Sequence, residues 1–275
     1  MMKSTGNYKG TLRQAQGPHA VMNAAALKSL ADKYECASFC DEDPSQFLRW
    51  YKDSSNAQTA SFIAAMLSFG SRTQFIPKIT QILQTADNSA GSINRWLTDG
   101  TFKTDFPTGS KKFYRFYSFD DMQTFFEEFA QILRKARSLG DFFCSEYERA
   151  GALNVTEPLN KTPLPDLISS AFPKSKIVPK GKNSANKRIH MFLRWMVRQN
   201  SPVDLGLWKW YPQSKLIIPL DVHVMQESVK LGLLPPDAKA TRKTAVLLTQ
   251  KMNQIFPDDP CRADYALFGL GVQHP

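Results

Sequence analysis

Residues 59–69 place Phe62, Ile63, Met66, Leu67 and Phe69 on a background of Ala60, Ala64 and Ala65. A helix of that composition is apolar nearly all round and is stable only when other elements enclose it. Enclosing helices are legible on both sides. Residues 22–34 carry Met22, Ala25, Leu27, Leu30 and Ala31 at helical spacing, and residues from Ser71 onward turn Phe75, Ile76, Ile79, Ile82 and Leu83 inward after Gly70 ends the buried helix. Asp120 or Asp121 can cap a helix reaching Arg137, in which Met122, Phe125, Phe126, Phe129, Ile132 and Leu133 recur at three and four. Gly140 separates it from a helix over 141–148. Asp43-Pro44 and Asp259-Pro260 each read as an N-cap followed by a first-turn proline, starting helices over 45–52 and 261–269. Residues 241–256 form another amphipathic pattern. Alternating apolar and polar runs are few, so the expected fold is all-α.

The 275 residues, 42% hydrophobic, suffice for one large domain or two intimate lobes over 22–275. Residues 1–21 are polar and aperiodic and are expected to be disordered, with Met22 an alternative start. Residues 156–165 hold Pro158, Pro163 and Pro165 and read as a loop between halves, from which Pro163 or Pro165 opens a short helix ending near Phe172. No apolar run is long enough to span a membrane and no signal-peptide core is evident, so a cytoplasmic location is expected. Cys36, Cys40, Cys144 and Cys261 are scattered, and only one close pair exists, so no metal cluster is expected.

The formal charge is +10, and its distribution points to a polyanionic partner. From Leu167 to Val203 there is no Asp or Glu, while Lys174, Lys176, Lys180, Lys182, Lys187, Arg188, Arg194 and Arg198 supply eight cations. Within that stretch Ile189, Phe192, Leu193, Met196 and Val197 make a core stripe, and Lys187, Met191, Arg194 and Arg198 share the opposite face. Asp221 can cap a further helix to Leu231, with Val222, Met225 and Val229 inward and Gly232 as its stop. Residues 110–117 interleave Lys111, Lys112 and Arg115 with Phe113, Tyr114, Phe116 and Tyr117. That pattern suits either a nucleic-acid surface or, more commonly, a core aromatic cluster beside solvated lysines. His190 and His223 have no spaced partner for a metal and read as packing or surface residues.

The run Lys187-Arg188-Ile189-His190-Met191-Phe192-Leu193-Arg194, followed by Leu220-Asp221-Val222-His223-Val224 and Leu231-Gly232-Leu233, resembles the helix-hairpin-helix DNA glycosylase superfamily. The similarity is closest to its prokaryotic and archaeal 8-oxoguanine glycosylases and covers residues 179–234, about a fifth of the chain. Lys187 and Asp221 fall on that family's catalytic lysine and aspartate. Where the family hairpin carries glycines this chain has Asn183 and Ala185, which leaves the hairpin either reshaped or without its phosphate contact. The whole chain also resembles an uncharacterised bacterial family carrying Arg194-Trp195-Met196-Val197-Arg198 and the Asp221 segment.

The resemblance implies a two-lobed, all-α helix-hairpin-helix fold. It also implies base-excision repair of double-stranded DNA: removal of an oxidised purine, 8-oxoguanine first, with an AP lyase step through Lys187. Asp221 would assist by accepting a proton and stabilising positive charge on the sugar. Lys180, Lys182, Asn183, Arg188, Arg194 and Arg198 are the expected DNA contacts, and Trp208, Trp210 and Tyr211 either wall a base pocket or belong to the core. Arg188 and Arg194 are the neighbours expected to disfavour the charged form of Lys187. No cofactor and no metal are expected, and the protein is expected to be a monomer at the nucleoid. The rival expectation is a nucleic-acid-binding protein that keeps the scaffold without the chemistry.

Overall fold

The computed structural model describes residues 23–152, 159 and 163–273, over which the chain is mostly helical. Helices α1 (Ala24–Tyr34), α2 (Ser54–Leu67), α3 (Arg72–Ala90), α4 (Ile93–Thr98) and α5 (Phe102–Asp105) lead to a hairpin of β1 (Lys112–Tyr114) and β2 (Tyr117–Ser118). Seven more follow: α6 (Phe119–Leu133), α7 (Leu139–Arg149), α8 (Leu164–Ser170), α9 (Lys187–Val197), α10 (Val222–Lys230), α11 (Arg242–Asn253) and α12 (Ala263–Gln273). No helix among the described residues is long and apolar enough to cross a membrane. Segment 1–21 and most of the expected 156–165 loop lie outside the described residues.

Helix α2 is the axis, buried at every position from Ala57 to Leu67. It starts before the apolar run because the Asp53 carboxylate accepts the Asn56 N–H at 2.9 Å. Phe62 at its centre meets Phe125, Phe129, Phe172 and Phe192 at ring distances of 4.9–6.2 Å, so one residue ties α2 to α6, α9 and the end of α8. A second group forms where α12 packs against α1 and α10.

Several expected boundaries shift, each for a local reason. Helix α6 is capped by Ser118 rather than by Asp120 or Asp121: the Ser118 hydroxyl accepts the Asp121 N–H at 3.2 Å, and the Asp121 carboxylate accepts the Ser118 N–H at 2.9 Å. The Asp43-Pro44 signal produces a 3-10 turn (Pro44–Arg49), and the second such signal produces another before α12. In α10 the inward residues are Val224, Glu227 and Ser228, while Val222 is exposed. The β-hairpin was not expected from periodicity, because its strands are too short to show one.

Gly140 lies inside α7 rather than breaking the chain there, and close approach explains it. The Gly140 N–H and the Trp208 indole N–H both donate to the Gln58 side-chain oxygen, at 2.8 and 2.9 Å. A Cβ at position 140 would stand 2.7 Å from the Trp208 indole nitrogen. Gly140→Ala is therefore expected to cost about 1–3 kcal/mol, read as a lower urea midpoint at unchanged slope. An unaltered midpoint would mean that the Trp208 segment yields freely.

Candidate active site

Two chain reversals bring the lysine and the aspartate together. Asn186 adopts a left-handed conformation at φ 44°, which asparagine tolerates better than most residues, and its side-chain amide donates to the Gly181 carbonyl at 3.1 Å. The Arg242 N–H donates to the Asn183 carbonyl at 2.9 Å, anchoring this turn to the start of α11. Lys187 then emerges in the first turn of α9. From the other side the buried run Leu216, Ile217, Ile218 and Leu220 is held by the Ile218 N–H donating to Thr249 Oγ1 at 3.0 Å. Asp221, which ends that run, divides its carboxylate: Oδ1 accepts the Val224 N–H at 2.9 Å as the cap of α10, and Oδ2 stands 3.2 Å from Lys187 Nζ.

Both groups face a pocket of about 540 Å³, within the range of small-ligand sites. Phe39, Phe69, Phe75, Met191 and Phe268 supply its apolar wall. Its polar lining includes Asp43, Arg72, His223 and Asp264. Arg72 stands 3.4 Å from Asp43 with its guanidinium 5.6 Å from the Phe268 ring centre, so the charged pair and the aromatic wall are coupled.

The face of α9 that carries Arg194 and Arg198 is not a solvent face, and this corrects their expected role as DNA contacts. Their side chains are 4% and 2% exposed. Arg194 pairs with Asp264 and, at 3.3 Å, with Asp204. Arg198 makes a bidentate contact with Asp259 at 2.8 Å for each bond, and reaches Glu35 at 2.8 Å and Asp204 at 2.6 Å. Both guanidinium groups also lie over the Tyr265 ring. Residues 167–203 contain no acid, and the carboxylates that pair with these cations come from the residue after α1 (Glu35), the loop after α9 (Asp204), the turn before α12 (Asp259) and α12 itself (Asp264). Burying these charges is tolerable only because every one is paired.

Asp264 links this network to the pocket. Burial pushes its carboxyl up to about 6, against a partial opposing pull from Arg194. The folded-state value exceeds the ordinary 3.8, so its stabilising contribution is full below about pH 4 and is lost as pH rises through 6. Urea unfolding of wild type between pH 4 and 7 is expected to show this decline, and Asp264→Asn is expected to remove it. An identical slope in both proteins would overturn the assignment.

The other expected site residues separate into two groups. Lys180, Lys182 and Asn183 are exposed in the turn that precedes Lys187, with Lys180 Nζ donating to the Pro173 carbonyl at 2.5 Å. Arg188 is half-buried, donating to the Met66 carbonyl with its guanidinium 5.0 Å from the Phe69 ring centre. Trp208 and Tyr211 are buried, and Trp210 is partly buried against the same core. Trp208 packs on Phe143 and Phe192, and Tyr147 contacts Trp210 and Tyr211, so the three belong to the core and not to the pocket wall. His190 is buried, and desolvation holds its imidazole down at about 3, hence neutral. His223 lies exposed at the pocket. Among the described residues no group of three or more His, Cys, Asp or Glu is placed to hold a metal, and the four cysteines are free. Sequence reasoning missed Asp264, Phe268, Phe69 and Arg72 as site residues, which come from two segments far apart in the chain. The spacing of Asp264 and Phe268 by one helical turn was the only available signal.

The fold and the site thus define a mostly helical protein with a lysine–aspartate pair in an aromatic pocket. Residues 43–273 match the family described as "Protein of unknown function (DUF2400)", and the chain belongs to that family. No curated protein and no solved structure matches it.

Proposed function

We propose that this protein is a DNA N-glycosylase with AP lyase activity on a helix-hairpin-helix scaffold, acting on an oxidised purine with 8-oxoguanine as the first candidate. The reading rests on one observation: Lys187 Nζ stands 3.2 Å from Asp221 Oδ2 in an aromatic-walled pocket beside exposed Lys180 and Lys182. An amine and a carboxylate at that separation can exchange a proton, and an aromatic pocket can receive a base extruded from a duplex.

In the proposed reaction Lys187 passes a proton to Asp221, and its freed lone pair attacks C1′ of the extruded nucleotide. The bond from C1′ to the base breaks, and the base leaves with the electron pair and takes up a proton. Asp221 gives its proton up to the departing base, and its restored carboxylate faces the positive charge that develops on the sugar. The sugar opens to an imine with Lys187. Loss of a C2′ proton then expels the 3′-phosphate, and water hydrolyses the imine to restore the amine.

A nucleic-acid-binding protein without chemistry is the second reading, favoured by the ion pair that already holds Lys187 Nζ. A labelled duplex with a single 8-oxoguanine decides between them. The first reading expects base release and strand scission. Binding without scission, on that duplex and on one with a plain abasic site, would leave the second.

A further inference from the structure

Among the described residues Phe116 is the most exposed of the large hydrophobic side chains, at 60%. It forms with Arg115 the two-residue turn between β1 and β2, since Tyr114 pairs with Tyr117. The tip is held in place. Lys112 Nζ donates to the Phe116 carbonyl at 3.0 Å, and the Phe116 ring lies 4.5 Å from Tyr117 and 5.3 Å from Phe69. The Tyr114 hydroxyl donates to the Phe69 carbonyl. Arg115 is left-handed at φ 50°, a conformation that a long side chain adopts only where its surroundings impose it. Gly70 permits the close approach of this turn: a Cβ there would stand 2.7 Å from the Arg115 guanidinium and 3.0 Å from the Tyr114 hydroxyl.

Two further features say what this projection meets. No Asp or Glu occurs between Asp105 and Asp120, and the shallow groove at the hairpin is lined by Gln74, Lys78, Lys112, Arg115 and aromatic residues, with no acid among them. Lys112 and Arg115 line that groove with Phe116, and Lys111 is exposed at the foot of the same hairpin. The second feature is position. Phe69 and Gly70, on which the hairpin rests, also line the Lys187 pocket, and Phe69 carries the Arg188 guanidinium at 5.0 Å on the side of α9. An exposed ring flanked by cations, beside the pocket proposed to take an extruded base, is the arrangement of a side chain that enters a base stack.

We propose that the β1–β2 hairpin is a wedge for duplex DNA: Phe116 inserts between base pairs next to the nucleotide extruded toward Lys187, while Lys111, Lys112 and Arg115 meet the flanking phosphates. The proposal rests on the DNA-directed reading of the Lys187 pocket and adds the element that opens the stack. Tyr114 and Tyr117, buried beneath the tip, are its base and not its edge.

The test uses the full chain and a duplex bearing a tetrahydrofuran abasic analogue with 2-aminopurine beside it. Wild type is expected to raise the 2-aminopurine fluorescence on binding as the neighbouring stack opens. Phe116→Ala is expected to bind about 10- to 100-fold more weakly, from lost stacking, and to lose the fluorescence change even at saturation. Phe116→Trp is expected to restore both. Circular dichroism and Tm should match wild type, since the side chain is mostly in solvent. Lys111→Gln with Lys112→Gln is expected to lower affinity for all duplexes alike and to flatten the salt dependence. Equal affinity and equal fluorescence for wild type and Phe116→Ala would overturn the wedge while leaving the glycosylase reading intact. A larger loss on single-stranded than on duplex DNA would also overturn it, making Phe116 a stacking platform. Wild type that binds no duplex would overturn both.

Discussion

On the proposed glycosylase and lyase reading, Lys187→Gln is expected to abolish the covalent protein–DNA band that borohydride would trap on a duplex bearing 8-oxoguanine, and to slow strand scission at least about a thousandfold. Only an amine can form the imine that borohydride reduces, and glutamine keeps similar length without the nucleophile. Duplex binding should persist, with a salt slope smaller by about one ion, since at most one phosphate contact is lost. Stability should change by less than about 1 kcal/mol, because the Lys187–Asp221 pair is partly open to solvent. Asp221→Asn is the companion variant. Asparagine caps α10 as well as aspartate does, so the helix should survive while scission falls about 10²–10⁴-fold. A band of undiminished intensity in Lys187→Gln would show that another amine carries the chemistry.

Arg198→Met is expected to lower the unfolding free energy by about 3–5 kcal/mol. Methionine fills much of the same space, so packing is kept while Glu35, Asp204 and Asp259 lose the cation they share. Leaving buried carboxylates without their partner is the costly direction, and the loss should show as a large fall in urea midpoint. The same variant should leave the salt slope of DNA binding unchanged, because Arg198 is enclosed and touches no phosphate. A stability change under about 1 kcal/mol would mean that water reaches these carboxylates. A reduced salt slope would return Arg198 to the DNA-binding surface.

The two variants divide roles that charge counting merges. Eight cations lie between Leu167 and Val203, and their number alone suggests a single basic face. Arg194 and Arg198 are internal struts, Arg188 lies against Phe69, and Lys176 meets Asp121 at 3.1 Å. Lys180 and Lys182 remain exposed near the pocket. Further exposed cations lie on the hairpin that carries Phe116: Lys111, Lys112 and Arg115. Of the two readings of residues 110–117, the core one holds for Phe113, Tyr114 and Tyr117, while Phe116 between them is exposed.

Local chemistry was sufficient where a residue and its structural partner lie within a turn of each other. Periodicity placed the buried α2, the core stripe of α9 and the inward face of α3, because each follows from the spacing of apolar side chains on one helix. The Asp221 cap was legible for the same reason, its partner being three residues away. The Lys187–Asp221 pairing came from resemblance, since nothing local joins residues 34 positions apart.

What only the tertiary structure decided is everything that depends on which distant segment meets a given face. Periodicity shows that Arg194 and Arg198 lie opposite the core stripe of α9, and it cannot show that Glu35, Asp204, Asp259 and Asp264 enclose that second face. The pocket wall is assembled likewise, from Phe39, Phe69 and Phe268 on three separate segments. The physical reason is that a helix reports its own amphipathicity in its sequence, whereas the burial and pairing of a charge depend on the counter-charges that the rest of the chain brings to it.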